Sequence, residues 1–420
     1  MDTEGLLLEV LSRMSAKSIL RLTSLSKTCS NFPSENFFLK NHSQQLLYRD
    51  DLGFFIQQDQ RGGKVELHTL SSNEDKKNFD DYGVPHSSLD FLYNTTNKIL
   101  GSCNGLLVLK KTNEEDMGLF LCNPATQKIC SIPKLMTNIN NDQSTFGVHI
   151  VSNNGATEFP DNYGVIMVKS AEDWLPYSIF YMYIKGEEWK EMAKLNTGAR
   201  NIIYDMPVYC RGAIHFISDT FPYLTKASPD YKPYIVACDT DKVKSWRINL
   251  PKEAMRNSHD QSCVMRIFKW GKPSSLSSQS SICLVRLRKS VFMAWVLNDY
   301  DVGLWILVLN TRVRAMGLRE PEPVVCGFTI INGDCLIFAT QQWIYCYRPT
   351  LSYGRLKHSV KAEEISRHGL GGCATHLCFT NYSNTLRPCG SSEVNFDLAT
   401  IEKSLETEEN CRNPNAQLDF

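Results

Sequence analysis

The stretch "SCNGLLVLKK" (Ser102–Lys111), followed by "LFLCNPATQKICSIP" (Leu119–Pro133), decides the architecture. Each apolar run is about 4 to 8 residues long, rich in strand formers and bounded by turn residues. Asn104 tolerates a left-handed backbone and Gly105 supplies one closed to residues that carry a Cβ, while Asn123-Pro124 starts a second tight turn. The unit reads as Gly-led strand, strand, turn, strand. Both turns are read as structural, not as a binding site.

The unit recurs. "YCRGAIHFIS" (Tyr209–Ser218) is followed by "YIVACDTDKVKSWRINLP" (Tyr234–Pro251), and "IINGDCLIFAT" (Ile330–Thr340) by "WIYCYRP" (Trp343–Pro349). Between about Asp50 and Pro349 further runs of this kind follow without a long helical period, among them "GFFIQ", "YGVIMVK", "SIFYMYI", "SICLVRL", "VFMAWVL" and "LWILVL". Stacked meander sheets at ~40 to 50 residues each predict a mainly β fold, a β-propeller of about six to eight blades with seven favoured. The alternative is an irregular pair of sandwiches.

The first 45 residues are different in kind. In "LLLEVLSRMSAKSILRLTSLSKTCSNF" (Leu6–Phe32), Leu7, Val10, Leu11 and Met14 recur at helical spacing, Ser15-Ala16-Lys17 breaks the pattern, and Ile19, Leu20, Leu22 and Leu25 restart it. "PSENFFLKNH" adds a third helical piece with Ser34 as its N-cap. Three short helices bury little surface alone, so they need a partner.

Lys plus Arg equals Asp plus Glu at 45 each in 420 residues, so no global field recruits nucleic acid or an anionic membrane surface. No apolar run approaches the ~18 residues of a membrane span. The 15 cysteines are scattered without a CxxC pair, and the acidic start "MDTEG" does not suit a secretory signal, which predicts reduced thiols in a cytoplasmic or nuclear protein.

With these residues in view, the N-terminal segment resembles an F-box: Leu8-Glu9-Val10-Leu11 matches its aliphatic run, Arg13-Met14 with Lys17-Ser18-Ile19-Leu20 its middle, and Lys27 its lysine. The family's leading Leu-Pro, second Pro and Trp are replaced by Asp2-Thr3, Ser15 and Cys29. The stretch "KILGSCNGLLVL…LFLCNPATQKICSIP" is similar to the opening of the plant F-box-associated, kelch-like domain, and "GEEWKEM", "VYCRGAIHFI", "IVACDTDKVKSWRINLP" and "LWILVL" follow in that family's order. The resemblance covers Glu4 to about Pro349. It implies an F-box at 1–45 and a propeller at 50–387; the polar, partly acidic composition beyond Arg387 reads as a tail at 388–420.

The same resemblance implies a substrate-recognition subunit of an SCF-type ubiquitin ligase. A Skp-type adaptor and cullin scaffold would be its partners, with an unknown target protein on the propeller and no catalysis or cofactor of its own. Leu7, Leu8, Leu11, Ile19, Leu20 and Leu22 are the expected apolar surface shared by the helical core and the adaptor. Trp174 and Tyr177, in "EDWLPY", are the expected target contacts. Two alternatives stand beside this reading: a non-ligase propeller scaffold, favoured by the substitutions at Asp2-Thr3, Ser15 and Cys29, and a propeller enzyme. Walker, dinucleotide-binding, GxSxG and HExxH patterns are absent. "HGLGGC" (His368–Cys373) lacks the Lys-Ser/Thr of a phosphate loop, "CATHLC" (Cys373–Cys378) has no second ligand pair, and "KPSSLSSQSS" (Lys272–Ser281) reads as a spacer.

Overall fold

Antiparallel pairing turns the apolar runs into six blade sheets and one two-stranded hairpin, and the computed structural model is a six-bladed β-propeller preceded by three short helices. It describes residues 3–26, 29–32, 35–46, 53–58, 64–70, 84, 91–92, 97–112, 117–135, 146–152, 163–171, 175–184, 188–260, 262–271, 281–348, 351–352, 355–356, 361–370, 376–390 and 394–395. The helices are α1 (Thr3–Ser12), α2 (Ala16–Leu25) and α3 (Asn36–Leu46).

Blade 1 holds β1 (Gly53–Gln58) and β2 (Val65–Thr69). Blade 2 holds β3 (Asn97–Cys103), β4 (Leu106–Thr112), β5 (Met117–Asn123) and β6 (Lys128–Ile132). Blade 3 follows with β7 (Phe146–Ser152), β8 (Tyr163–Ser170), β9 (Tyr177–Ile184) and β10 (Lys190–Asn196), and blade 4 with β11 (Ile202–Cys210), β12 (Ala213–Ser218), β13 (Tyr234–Asp239) and β14 (Lys244–Asn249). Blade 5 is β15 (Val264–Trp270), β16 (Ser281–Arg288), β17 (Val291–Asp299) and β18 (Leu304–Arg312). Blade 6 is β19 (Gly327–Ile331), β20 (Cys335–Ala339), β21 (Trp343–Tyr347) and, after a hairpin of β22 (Leu351–Ser352) and β23 (Arg355–Leu356), β24 (Glu363–Arg367).

The ring closes through a strand from the far end of the chain. β25 (Leu377–Tyr382) pairs with β1, register Gly53 to Tyr382, and becomes the innermost strand of blade 1. The innermost strands then touch in succession, β25, β3, β7, β11, β15, β19 and back to β25. Six apolar clusters fill the six seams between blades; Phe55, Leu107, Leu109 and Tyr382 share one, and Phe54, Ile56, Ile337, Ile344 and Phe379 the closing one. Crowding at the axis demands a residue without Cβ at Gly147 on β7, where a Cβ would stand 2.3 Å from the Tyr204 carbonyl oxygen on β11.

The count is six, not the favoured seven. The chain between Thr69 and Asn97 separates β2 from β3, and β25 rather than this stretch supplies the third strand of blade 1. Among the cysteines, expected as reduced thiols, Cys335 and Cys346 on neighbouring strands are disulfide-linked.

After β25 the chain continues as a strap that both signature turns hold. The fully buried Asn123 donates from Nδ2 to the carbonyls of Thr385 (2.9 Å) and Arg387 (2.7 Å), while its Oδ1 accepts from the Ala125 N–H (2.9 Å). Thr385 Oγ1 donates to the Asn104 carbonyl at 2.8 Å. Tyr163 OH donates to the Cys389 carbonyl at 2.6 Å, with the buried Arg387 guanidinium over its ring. Asn104 has φ 50° and Gly105 φ 85°, as the turn reading requires. The strap adds a second reason: a Cβ on Gly105 would lie 2.0 Å from Thr385 Oγ1. The polar tail expected from residue 388 is therefore packed at its start. Cys389 is buried, and β26 (Val394–Asn395) pairs with Lys128 and Ile129 as a fifth strand of blade 2.

Polar groups latch the seam of blades 1 and 6. His68 Nδ1 lies 2.9 Å from Ser366 Oγ and its Nε2 3.1 Å from Glu66 Oε2; Glu66 Oε1 accepts from the Gly369 N–H at 2.9 Å. Hydroxyl, imidazole and carboxylate stand in the order of a hydrolytic triad. Yet the imidazole is buried against Phe54, and both carboxylate oxygens are engaged, Oε2 by His68 on the same strand and Oε1 by Gly369 across the seam. Burial pushes the Glu66 carboxyl up, but hydrogen bonds from His68 and the Gly369 N–H outweigh it and hold the group below its ordinary 4.5. Burial likewise holds His368, which donates to the Thr340 carbonyl, below 6.5.

Both shifts act in one direction. The unfolded chain takes up protons at His368 as pH drops below 6.5 and at Glu66 below 4.5, before the folded chain does, so stability is lost on acidification. Melting temperature should fall stepwise from neutral pH to pH ~4, and Glu66→Gln should flatten the lower part of that profile. A second prediction concerns the strap: Gly105→Ala should destabilise by ~3 kcal/mol or more in urea unfolding. Gly212→Ala, at φ 77° with nothing within 4 Å of its Cβ position, should cost only about 1 kcal/mol.

Candidate interaction surfaces

The helical module is anchored on the propeller at the second signature turn. Ser15 caps α2, its Oγ accepting from the Ser18 N–H at 3.2 Å, and His42 Nε2 donates to the Met14 carbonyl at 3.1 Å. Leu11, Ala16, Ile19, Phe32, Phe38 and Leu39 form one core with Ala125, from the turn between β5 and β6, and Leu386, from the strap. The strap, which continues from the ring-closing strand β25, thus forms part of the floor on which the helices rest.

This packing divides the expected adaptor residues. Leu11 is 4% exposed and Ile19 1%, so both belong to the core and offer nothing to a partner. Leu8 and Leu22 are half-buried at the edge of that core, and Leu7 and Leu20 are exposed. The structure adds four apolar side chains in solvent: Leu6, Val10 (54%), Leu25 (83%) and Phe37 (66%). The signal was present in "LLLEVL", which is apolar around most of α1, more than one seam can cover.

A second apolar set lies on the propeller. Because strands alternate in direction, the loop between β8 and β9 and that between β12 and β13 leave the opposite ends of the sheets from the turns under the helices. The β12–β13 loop is rigidly held. Arg200, with a fully buried side chain, donates to the carbonyls of Asp230 (2.8 Å), Phe221 (3.0 Å) and Tyr231 and to Asp219 Oδ1 (3.1 Å). Arg247 pairs with Asp230, and Asp230 Oδ2 accepts from the Ala199 N–H at 2.7 Å. Burial raises the Asp219 carboxyl above its ordinary range even though Tyr223 and Arg200 donate to it.

From this frame Phe221 (69% exposed) and Tyr223 project into solvent. Leu175 and Tyr177 do so on the neighbouring blade, Tyr177 with Lys194 Nζ 5.7 Å from its ring centroid. The connections are tied, since the Thr197 N–H donates to the Pro176 carbonyl at 2.7 Å and Tyr234 OH to the Thr197 carbonyl at 2.9 Å. Trp174, Lys27, Ser34 and the spacer 272–280 lie outside the described residues.

Among the described residues no group of three or more His, Cys, Asp or Glu could hold a metal ion, and no helix is long and apolar enough to cross a membrane. On the innermost strands His149 stacks on Tyr209 at 5.5 Å, its pKa pushed down to about 4 by burial and then by Lys269.

No protein-family model matches the chain. It is similar to F-box protein CPR1 of Arabidopsis thaliana, 25% identical over 205 residues, a match spanning 47% of this chain and 46% of that relative, about half its length. It is also similar to F-box protein At5g49610 of the same plant, 21% identical over 400 residues, covering 92% of this chain and 97% of the relative. A solved structure of a protein from Lactobacillus plantarum aligns with TM-score 0.43 and 9% identity, covering 78% of this chain and 99% of the other. The similarity to the two plant proteins supports an F-box protein family.

The two classes of helical residue separate by mutation. Leu11→Asp places a charge in the shared core and should unfold the module, a cost of several kcal/mol visible as lost helical circular dichroism and rapid proteolysis near residue 46. Val10→Asp, at an exposed position, should leave both unchanged within about 0.5 kcal/mol.

Proposed function

We propose that the chain is the substrate receptor of an SCF-type ubiquitin ligase. The helical module, residues 1–45, binds a Skp-type adaptor and through it a cullin scaffold, and the propeller, residues 50–387, holds a target protein. The observation that carries this reading is the apolar rim of Leu6, Leu7, Val10, Leu20, Leu25 and Phe37, left in solvent by a module whose inner face already rests on the propeller. Similarity to one F-box protein along most of the chain, and to a second along about half of it, supports it. The receptor acts without a covalent step of its own. Holding a target beside the conjugating enzyme raises the effective concentration of its lysines, and a rigid joint between module and propeller keeps that concentration high. A cytoplasmic or nuclear setting accompanies this role.

Target recognition is assigned to Leu175, Tyr177, Phe221 and Tyr223, on sheet ends facing away from the helices. Exposed aromatics on a pinned loop lose little conformational freedom on binding. The scaffold alternative draws on the substitutions at Ser15 and Cys29. In the fold Ser15 caps α2 and Cys29 packs at the edge of the helical core, so both positions serve the module's own structure.

The test is capture of purified full-length chain by a plant Skp-type adaptor, beside the double variant Leu6→Asp with Val10→Asp. Wild type should bind, and the variant, with unchanged circular dichroism, should lose at least ~2 kcal/mol, roughly thirtyfold in Kd. A well-folded wild type that fails to bind would overturn the ligase reading in favour of the scaffold.

A further inference from the structure

The outer edges of the blades are not treated alike. An open edge strand is a template for another strand, and charged side chains or a covering segment are the usual protection. Here β10 presents Lys190, Glu191 and Lys194, β14 Lys244 and Arg247, and β24 Glu363, Glu364 and Arg367, while β2 carries Glu66 and β6 is covered by β26. The outermost strand of blade 5 has no such protection. β18, "LWILVLNTR", nine residues long, carries no charge before its last residue, Arg312, and leaves Leu304, Ile306 and Leu307 in solvent. Val302 on the preceding turn and Val243 on the β13–β14 turn are also exposed. They flank an open cavity of about 580 Å³ lined by Trp246, Tyr300 and Lys244.

Charge indicates what pairs with this edge. The turn before β18 carries Asp299 and Asp301, and its far end carries Arg312 and, just beyond, Arg314. Asp301 and Arg312 have no ion-pair partner among the described residues. A strand acidic at one end and basic at the other, apolar between, is complementary to itself when reversed. An antiparallel two-fold copy centred on Leu307 sets Ile306 opposite Val308 and Val302 opposite Arg312, so the acidic turn of each copy lies beside the basic end of the other. That arrangement closes after two copies, as a two-fold pair must.

We infer that β18 is the interface of a homodimer, in which blade 5 of each copy continues into blade 5 of its partner as one eight-stranded sheet. The chain already covers one outer edge by strand addition, where β26 joins β6. This interface is separate from the adaptor rim and the target loops.

Sedimentation equilibrium of the full chain, from nanomolar to high-micromolar concentration, is the test. A reversible monomer–dimer equilibrium is expected. Ile306→Lys and Leu307→Lys, both at exposed positions, should each raise the dissociation constant at least about tenfold with unchanged melting. Asp301→Arg or Arg312→Asp alone should weaken the dimer, and the two together should restore it. A wild type that stays monomeric throughout overturns the inference and leaves the edge to a strand from a different protein. A dimer insensitive to the β18 variants overturns it equally. Adaptor capture is read separately, so failure here leaves the receptor proposal standing.

Discussion

The structure depends on one constraint: a ring of sheets is stable only when its last blade meets its first. Here that junction is the antiparallel pairing of Leu377–Tyr382 with Gly53–Gln58, backed by a shared apolar seam. The four seams from blade 2 to blade 6 join blades that are neighbours in the chain. This one joins segments more than 300 residues apart, and its loop-closure cost is offset only by the whole set of contacts at once. Concentrated there are a complete apolar core and the Glu66–His68–Ser366 latch.

The strap couples closure to docking. Asn123 and Asn104, in the two turns that open the first complete blade, hold residues 383–387 by hydrogen bonds, and Leu386 then becomes part of the helical core. The orientation of the helices relative to the target loops is therefore set by the segment that follows directly on the ring-closing strand. For a receptor this is economical in structure: one buried asparagine fixes a turn, a closing segment and a domain joint together.

Much of this was legible in the sequence, and the parts that were not share a physical cause. The second and third strands of the blades stood out because both of their faces are buried, as in "AIHFIS" and "YIVACD". The innermost strands did not. "FGVHIVS", "IIYDMPVYC", "VMRIFKW" and "LCFTNY" mix Gly, His, Asp, Pro, Lys and Asn among the apolar residues, because they crowd about the axis and bury only some of their side chains. Missing them also obscured the blade count. Asn104, Gly105 and Asn123 were read correctly as turn residues, but a turn explains only part of each. Their remaining function is a contact with chain more than 250 residues away, which local patterning does not encode. On the helices the wheel identified the apolar arc of α1, while the split between Leu11 inside and Val10 outside came only with the position of Ala125 and Leu386.

The late position of β25 has a consequence for biogenesis. As the chain leaves the ribosome, β1 emerges early with an unpaired edge and a face bearing Phe54 and Ile56, and its inner neighbour β25 is made after all six blades have begun. Blades 2 to 5 can form in order during synthesis, but the ring stays open until nearly all of the propeller has been translated. A nascent or prematurely terminated chain thus exposes apolar surface that the finished protein hides. Holdase chaperones are the cellular machinery suited to guard it over that interval.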